Sequence, residues 1–370
     1  MKEIFLKYPA ERDIVFILGA GASHPDGVPL KKDILPYILS GKNSEITDSV
    51  IGKEVIQFIT ENFDFDISLE NYPNLEAVFG YLDYFIYNNQ SLSSYYSQTK
   101  LQIIREYLIK LVHHAVNLHT DKEHTAYHNF WKRVLYHTRN FSIITLNYDT
   151  LLEQAFEEYF KTTGFIDYSI PLMNYEKTDV LKNFNFWVNP NQPVIVEHEV
   201  DPVPFKILKL HGSLNWKYCN CCNQTLLTPW DRHIDLNKGK FLGYTYPENE
   251  RYEYSCPIDN TDFQTLIQPP SYTKVMDQPV LTQLFSEAAR ELRVARHLVF
   301  IGYSFSSSDV HIKALLKKNY KKEINITVVN NRINKKLKSK YAAISKEIKF
   351  LEITMEEFIS DNRYFNDIFN

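Results

Sequence analysis

The sequence predicts an α/β protein: a Rossmann-like parallel sheet of about six strands, carrying a large helical insertion and a small irregular module. Three observations predict it. Short, continuous apolar runs recur along the chain, as in strands buried on both faces. Several of these runs end in glycine or small polar residues, at the strand ends where open α/β sheets bind ligands. Helical periodicity follows several of them, which gives the alternation of βαβ units.

The first strand is Asp13–Leu18, closed by Gly19-Ala20-Gly21-Ala22-Ser23. Residues 31–139 then carry helical periodicity in Val50–Phe63, Asn74–Tyr87, Lys100–His119 and Thr125–His137, and read as an inserted helical subdomain. Phe141–Leu146 is the second strand, followed by Asn147-Tyr148-Asp149 and a helical pattern over Thr150–Tyr159. Residues 161–204 and 217–266 are irregular, rich in Asn, Pro and Tyr, and hold all four cysteines. They read as a small module, split by the strand Phe205–Leu210 that ends at His211-Gly212-Ser213. His297–Ile301 leads into Gly302-Tyr303-Ser304, with a helical pattern over Asp309–Lys318. Ile324–Val329 leads into Asn330, and Ile348–Ile353 is the last strand. One domain over 1–370 results, its core formed by residues 12–30, 140–160, 205–216 and 267–370.

A net charge of -4, from 41 basic and 45 acidic residues, provides no general cationic field, so direct nucleic-acid binding is not expected. The basic run Asn334–Lys340 reads as a solvated helix face. No apolar stretch reaches the length of a membrane span, and the N-terminus lacks the apolar core of a signal peptide. Cys219, Cys221 and Cys222 crowd together, unlike a secreted disulfide framework. A cytoplasmic protein is expected.

At Gly19-Ala20-Gly21 the missing side chains allow a backbone to approach a pyrophosphate, and Ser23 adds a hydroxyl donor. A tight turn without a ligand is the alternative. The spacing is not GxGxxG, and no acidic residue closes a second strand, which argues against an ordinary dehydrogenase. Cleaving the bond between nicotinamide and ribose needs little acid help, because the pyridinium leaves as a neutral molecule. The site must instead stabilise an oxocarbenium-like ribose and position a nucleophile. Asn147 can orient a water or a ribose hydroxyl, Asp149 can hold a carboxamide or steady positive charge, and His211 can act as general base. The alternatives are a helix cap at Asn147-Tyr148-Asp149 and a core or cap histidine.

The string Gly19-Ala-Gly-Ala-Ser23, followed by Gly27-Val-Pro29, resembles the first sirtuin signature. Thr145-Leu-Asn-Tyr-Asp149 resembles the sirtuin Thr-Gln-Asn-Ile-Asp motif, Leu210-His211-Gly212 the His-Gly motif, and Gly302-Tyr-Ser304 the later Gly-Thr-Ser strand end. The resemblance implies Asn147 and His211 as a catalytic pair and Asp149 as a nicotinamide contact. It also implies Gly19, Ala20, Gly21, Ser23, Gly302, Ser304 and Asn330 as contacts of NAD+, which is then the substrate. Asp309, on the later strands with Asn330, is expected to bind the adenosine half.

Leu30-Lys31-Lys32 stands where protein deacylases carry Phe-Arg after Gly-Val-Pro. Cys219 and Cys222 have zinc-ribbon spacing, but only Cys256 follows, so His233 or Cys221 would have to complete a site; no metal is expected. Asn74-Leu-Glu76, Gln268-Pro-Pro270 before Tyr272-x-Lys274, and Gly302-Tyr-Ser-x-Ser306-x-x-Asp309 resemble the bacterial sirtuin-like NAD hydrolases of anti-phage defence. The role of Glu76 stays open. The resemblance implies an NAD+ glycohydrolase acting by NAD+ depletion. The alternatives are an NAD-dependent protein deacylase and a non-catalytic nucleotide sensor. Only about 40 residues follow Asn330, too few for a fused sensor, so control is expected from a homo-oligomer and a separate HerA-type ATPase partner. Tyr81–Tyr87 in the helical insertion can supply interface anchors or buried core.

Overall fold

The computed structural model describes the chain except residues 121–122, 124, 174–187, 190–191, 228–233, 242–255, 257, 273–277, 321–322 and 370. Seven strands form the main sheet: β1 (Arg12–Leu18), β2 (Phe141–Thr145), β3 (Gly164–Asp167), β4 (Val203–Lys209), β5 (Ala295–Ile301), β6 (Asn325–Val329) and β7 (Lys349–Leu351). Their order is β7-β6-β5-β1-β2-β4-β3, and every pairing is parallel. The middles of the central strands are largely apolar; Val15, Phe16, Leu18, Ile143, Leu208 and Phe300 are fully enclosed. Such burial on both faces explains why they read as continuous runs rather than alternating ones.

The sheet exceeds the expected six strands by β3. Residues 164–167 therefore belong to the core rather than to the irregular module. Gly-Phe-Ile-Asp is too short and too mixed to stand out, and β3 lies on the sheet edge. A second boundary also shifts. Residues 212–216, assigned above to the core, open a separate antiparallel sheet in which Gly212–Tyr218 pairs with Thr225–Leu227 and Gln264–Ile267. Gly212 makes this change of sheet possible. Its φ is +82°, and a Cβ there would stand 1.8 Å from the Leu266 carbonyl oxygen.

The helical insertion comprises α1 (Lys31–Leu39), α2 (Val50–Asn62), α3 (Leu75–Tyr87), α4 (Gln98–Asn117) and α5 (Ala126–His137). The first three pack on α4. Leu101, Ile104, Leu108, Leu111 and Ala115 repeat at helical spacing and are buried along its contact face. Ser49, Asn74, Ser97 and Thr125 cap the last four helices through their side chains. Beyond the module, α6 (Pro279–Val294) packs on the sheet and on α7 (Val310–Asn319). Under α6, Glu291 bridges Arg12 at 2.7 Å and Lys206 at 3.1 Å, which gives two buried cations a shared counter-ion. Among the described residues no helix is long and apolar enough to cross a membrane.

Candidate active site

A cavity of about 460 Å³ opens at the carboxyl ends of the parallel strands. The sheet ladder continues one step beyond β2 and β4: Leu146 N donates to Leu18 O at 3.0 Å, and Leu210 N to Thr145 O at 3.1 Å. Asn147 and His211 follow those residues on adjacent strands, and both line the cavity. Gly19, Ala20, Gly21, Asp149, Gly302, Ser304, Asp309 and Asn330 line it too.

The glycine turn is held by backbone contacts. Gly19 N donates to Ile301 O and Gly21 N to Gly302 O, both at 3.0 Å. A Cβ on Gly302, whose φ is +65°, would meet Ala22 N at 2.2 Å. The turn after β1 and the turn after β5 therefore lie backbone on backbone. The amides of Gly19 and Gly21 are engaged within the fold; these residues contribute close approach rather than anion donors.

Ser23 does not reach the cavity. It is fully buried beneath the turn, where its Oγ accepts from Asn147 Nδ2 at 3.0 Å and meets the Tyr127 hydroxyl at 2.8 Å. The expected ligand contact at Ser23 is thus replaced by a support for Asn147. The same Nδ2 donates to Gly19 O at 3.1 Å. Both amide hydrogens are used, and the buried Oδ1 has no partner among the described residues. Asp149 accepts from Leu151 N at 3.2 Å in a local turn just before the short helix whose N-cap is Thr150, which makes no side-chain cap of its own. Burial raises the Asp149 carboxyl above the ordinary range, against the opposing charge of Lys209. That ammonium bonds Asp149 O at 2.5 Å and Glu153 at 2.9 Å.

His211 is 6% exposed. Its Nε2 lies 3.2 Å from His311 Nε2 and 4.0 Å from Asp309 Oδ1. Asp309 also accepts from the Tyr303 hydroxyl at 3.1 Å. Asp309 therefore stands beside His211, in the cavity wall that Asn330 also lines. It immediately precedes α7 and holds the N-cap position of that helix. Asn330, at the end of β6, lines the cavity, as do Thr354 and Met355. Gln268 N donates to His211 O at 2.8 Å, and Gln268 O accepts from the Tyr148 hydroxyl at 2.8 Å. The Gln-Pro-Pro segment thereby braces the turns after β2 and β4, while Lys274 lies outside the described residues.

Sequence reasoning missed two features. Glu76, left without a role, reaches the cavity wall from α3 and pairs with Lys31. It also accepts from Ser306 Oγ at 3.2 Å and Ser308 Oγ at 3.3 Å, tying the insertion to the loop after β5. Nothing in the sequence indicates that contact across 230 residues. His311 was also overlooked, although the Asp309-x-His311 spacing at a helix start was visible. The basic run behaves in part differently from a solvated face. Lys340 bonds the carbonyls of Ser304 at 3.1 Å and Phe305 at 2.5 Å, and so holds the cavity loop.

In the small sheet, Cys219, Cys222, Cys256 and Asp259 bring their ligand atoms within 4.8 Å of one another. Asp259 supplies the fourth atom of this cluster, Cys221 is not part of it, and His233 lies outside the described residues. Three thiols and a carboxylate fit a tetrahedral zinc-type ion, which would tie the module together without taking part in cavity chemistry.

The chain belongs to the SIR2-like domain family, whose model matches residues 142–348. No curated protein matches it significantly. Among solved structures it is similar to a Sir2 homolog–NAD complex, with 12% identity, 97% of this chain and 90% of that chain covered, and a TM-score of 0.45. It is also similar to a Sir2–p53 peptide–NAD+ complex, with 13% identity, coverages of 96% and 93%, and a TM-score of 0.45.

Proposed function

We propose that this protein is an NAD+ glycohydrolase that cleaves NAD+ to nicotinamide and ADP-ribose, acting as a toxic effector in anti-phage defence. The observation that supports the reading is the pairing of Asn147 and His211 at the ends of adjacent strands over one cavity. In the proposed reaction the bond from ribose C1′ to the pyridinium nitrogen breaks, and its electron pair returns to the ring. Nicotinamide leaves neutral. Water adds to C1′ and its proton passes to His211, then to solvent. Asn147 orients the water or a ribose hydroxyl through its unpartnered Oδ1, and Asp149 steadies the positive charge that develops.

One observation favours the deacylase alternative: the four-donor cluster in the antiparallel module resembles a zinc ribbon. An incubation with NAD+ and no acyl peptide separates the two. Under activating conditions the expected products are nicotinamide and ADP-ribose. His211→Ala and Asn147→Ala should each lower turnover by about 10²–10⁴ with the fold retained by circular dichroism. Robust peptide deacylation with free NAD+ left intact would overturn the reading.

A further inference from the structure

The start of α7 presents Asp309 and His311 two residues apart, and both meet His211 at the end of β4. Each of the three residues offers a ligand atom within 4.8 Å of the other two. The two nitrogens are 3.2 Å apart, and the carboxylate oxygen is 4.0 Å from His211. Donors on a tetrahedral zinc-type ion, each about 2.1 Å from the metal, stand roughly 3.4 Å from one another. The observed separations bracket that value.

We propose that His211, Asp309 and His311 form a binding site for a divalent first-row transition-metal ion, of which zinc is the type. The donor set is two imidazoles and one carboxylate. That set suits zinc or iron(II), whereas calcium and magnesium prefer oxygen ligands alone. Three protein ligands leave at least one coordination position, and His211 and Asp309 both face the cavity, so that position opens toward it. The site is separate from the thiol cluster, which uses Cys219, Cys222, Cys256 and Asp259. Its consequence rests on the proposed function. A metal on Nε2 takes the lone pair with which His211 would accept a proton, so the bound ion inhibits hydrolysis.

The test uses the full chain, stripped with a chelator and titrated with cobalt(II). Cobalt on thiolates gives intense near-ultraviolet charge-transfer absorption, whereas cobalt on nitrogen and oxygen gives only weak visible bands. The wild type is expected to bind one equivalent that lacks charge-transfer intensity. His311→Ala, on the half-buried face of α7, should lose that equivalent or bind it at least tenfold more weakly, and should retain any thiolate-type signal. Equal uptake and identical visible spectra for wild type and His311→Ala would overturn the site, as would absorption of the thiolate type alone. A second arm measures NAD+ turnover with zinc added. Metal binding without inhibition would strike the assignment of His211 as base and leave the metal site standing.

Discussion

Ser23 and Tyr127 act on the cavity through the residues that line it: Ser23 Oγ lies between the Asn147 amide and the phenol, also hydrogen-bonds the Asp149 carboxylate, and is sealed from the cavity. Removing that acceptor takes away one of the two anchors of the Asn147 amide, leaving Gly19 O, without removing any surface that lines the cavity. Ser23→Ala should therefore lower the maximal rate about tenfold, the scale of one lost hydrogen bond, with little change in the NAD+ concentration required. Tyr127→Phe should act in the same direction more weakly. A raised substrate requirement at unchanged maximal rate would show that Ser23 contacts the ligand after all. The opposite split is expected across the cavity. Asn330→Ala should raise the NAD+ concentration needed and alter the maximal rate less, whereas Asp309→Asn, beside His211 at 4.0 Å, should depress the maximal rate. Steady-state kinetics of the two variants decide the matter. Two variants that both change only the substrate requirement would return Asp309 to the binding role that its place on the later strands first indicated.

At the scale of elements, what was legible in the sequence was whatever is determined by local pattern. β1, β2 and β5 announce themselves because burial on both faces demands unbroken apolar residues. The helices of the insertion announce themselves by periodicity and caps. β3 was hidden because an edge strand of four residues carries too little pattern, and Glu76 was hidden because its partners come from a distant loop. Long-range polar contacts leave no periodic trace. His113 belongs to the same class. It sits inside α4 and meets the Leu214 carbonyl oxygen at 3.0 Å, joining the helical insertion to the small sheet. Burial lowers its imidazole from 6.5 to about 4. On acidification the unfolded chain takes the proton first, so the contribution of the neutral ring is complete above pH 6.5. It declines between there and about pH 4 and levels off below. The whole decline amounts to about 3 kcal/mol. Urea denaturation across this range should show a shallower pH dependence for His113→Gln than for the wild type. Parallel curves for the two proteins would remove His113 as the titrating element.

For the whole molecule, the proposed activity creates a problem that the fold must meet: an NAD+ hydrolase that is always active depletes the cell that makes it. Control through assembly is the reading we propose, as a homo-oligomer acting with a separate HerA-type ATPase. The helical insertion is the surface we propose for it. Of the aromatic stretch in α3, Leu82 is buried, while Tyr84 is 57% and Tyr87 41% exposed on the outer side. Tyrosine combines a large apolar ring with a polar tip and is favoured at interface centres. The first turn of the same helix carries Glu76, which bonds Ser306 and Ser308 beside the cavity. A contact on the outer turns of α3 is therefore connected to the cavity wall by one rigid element, three and a half turns long at its 13 residues. Light scattering across a concentration series should show a species larger than one chain of 43.6 kDa. Replacing Tyr84 and Tyr87 together by Asp should shift that species toward the monomer and lower NAD+ turnover with it. Addition of the ATPase should move the wild type, more than the double variant, to a larger mass. A wild-type protein that stays monomeric and hydrolyses NAD+ at full rate alone would refute control by assembly.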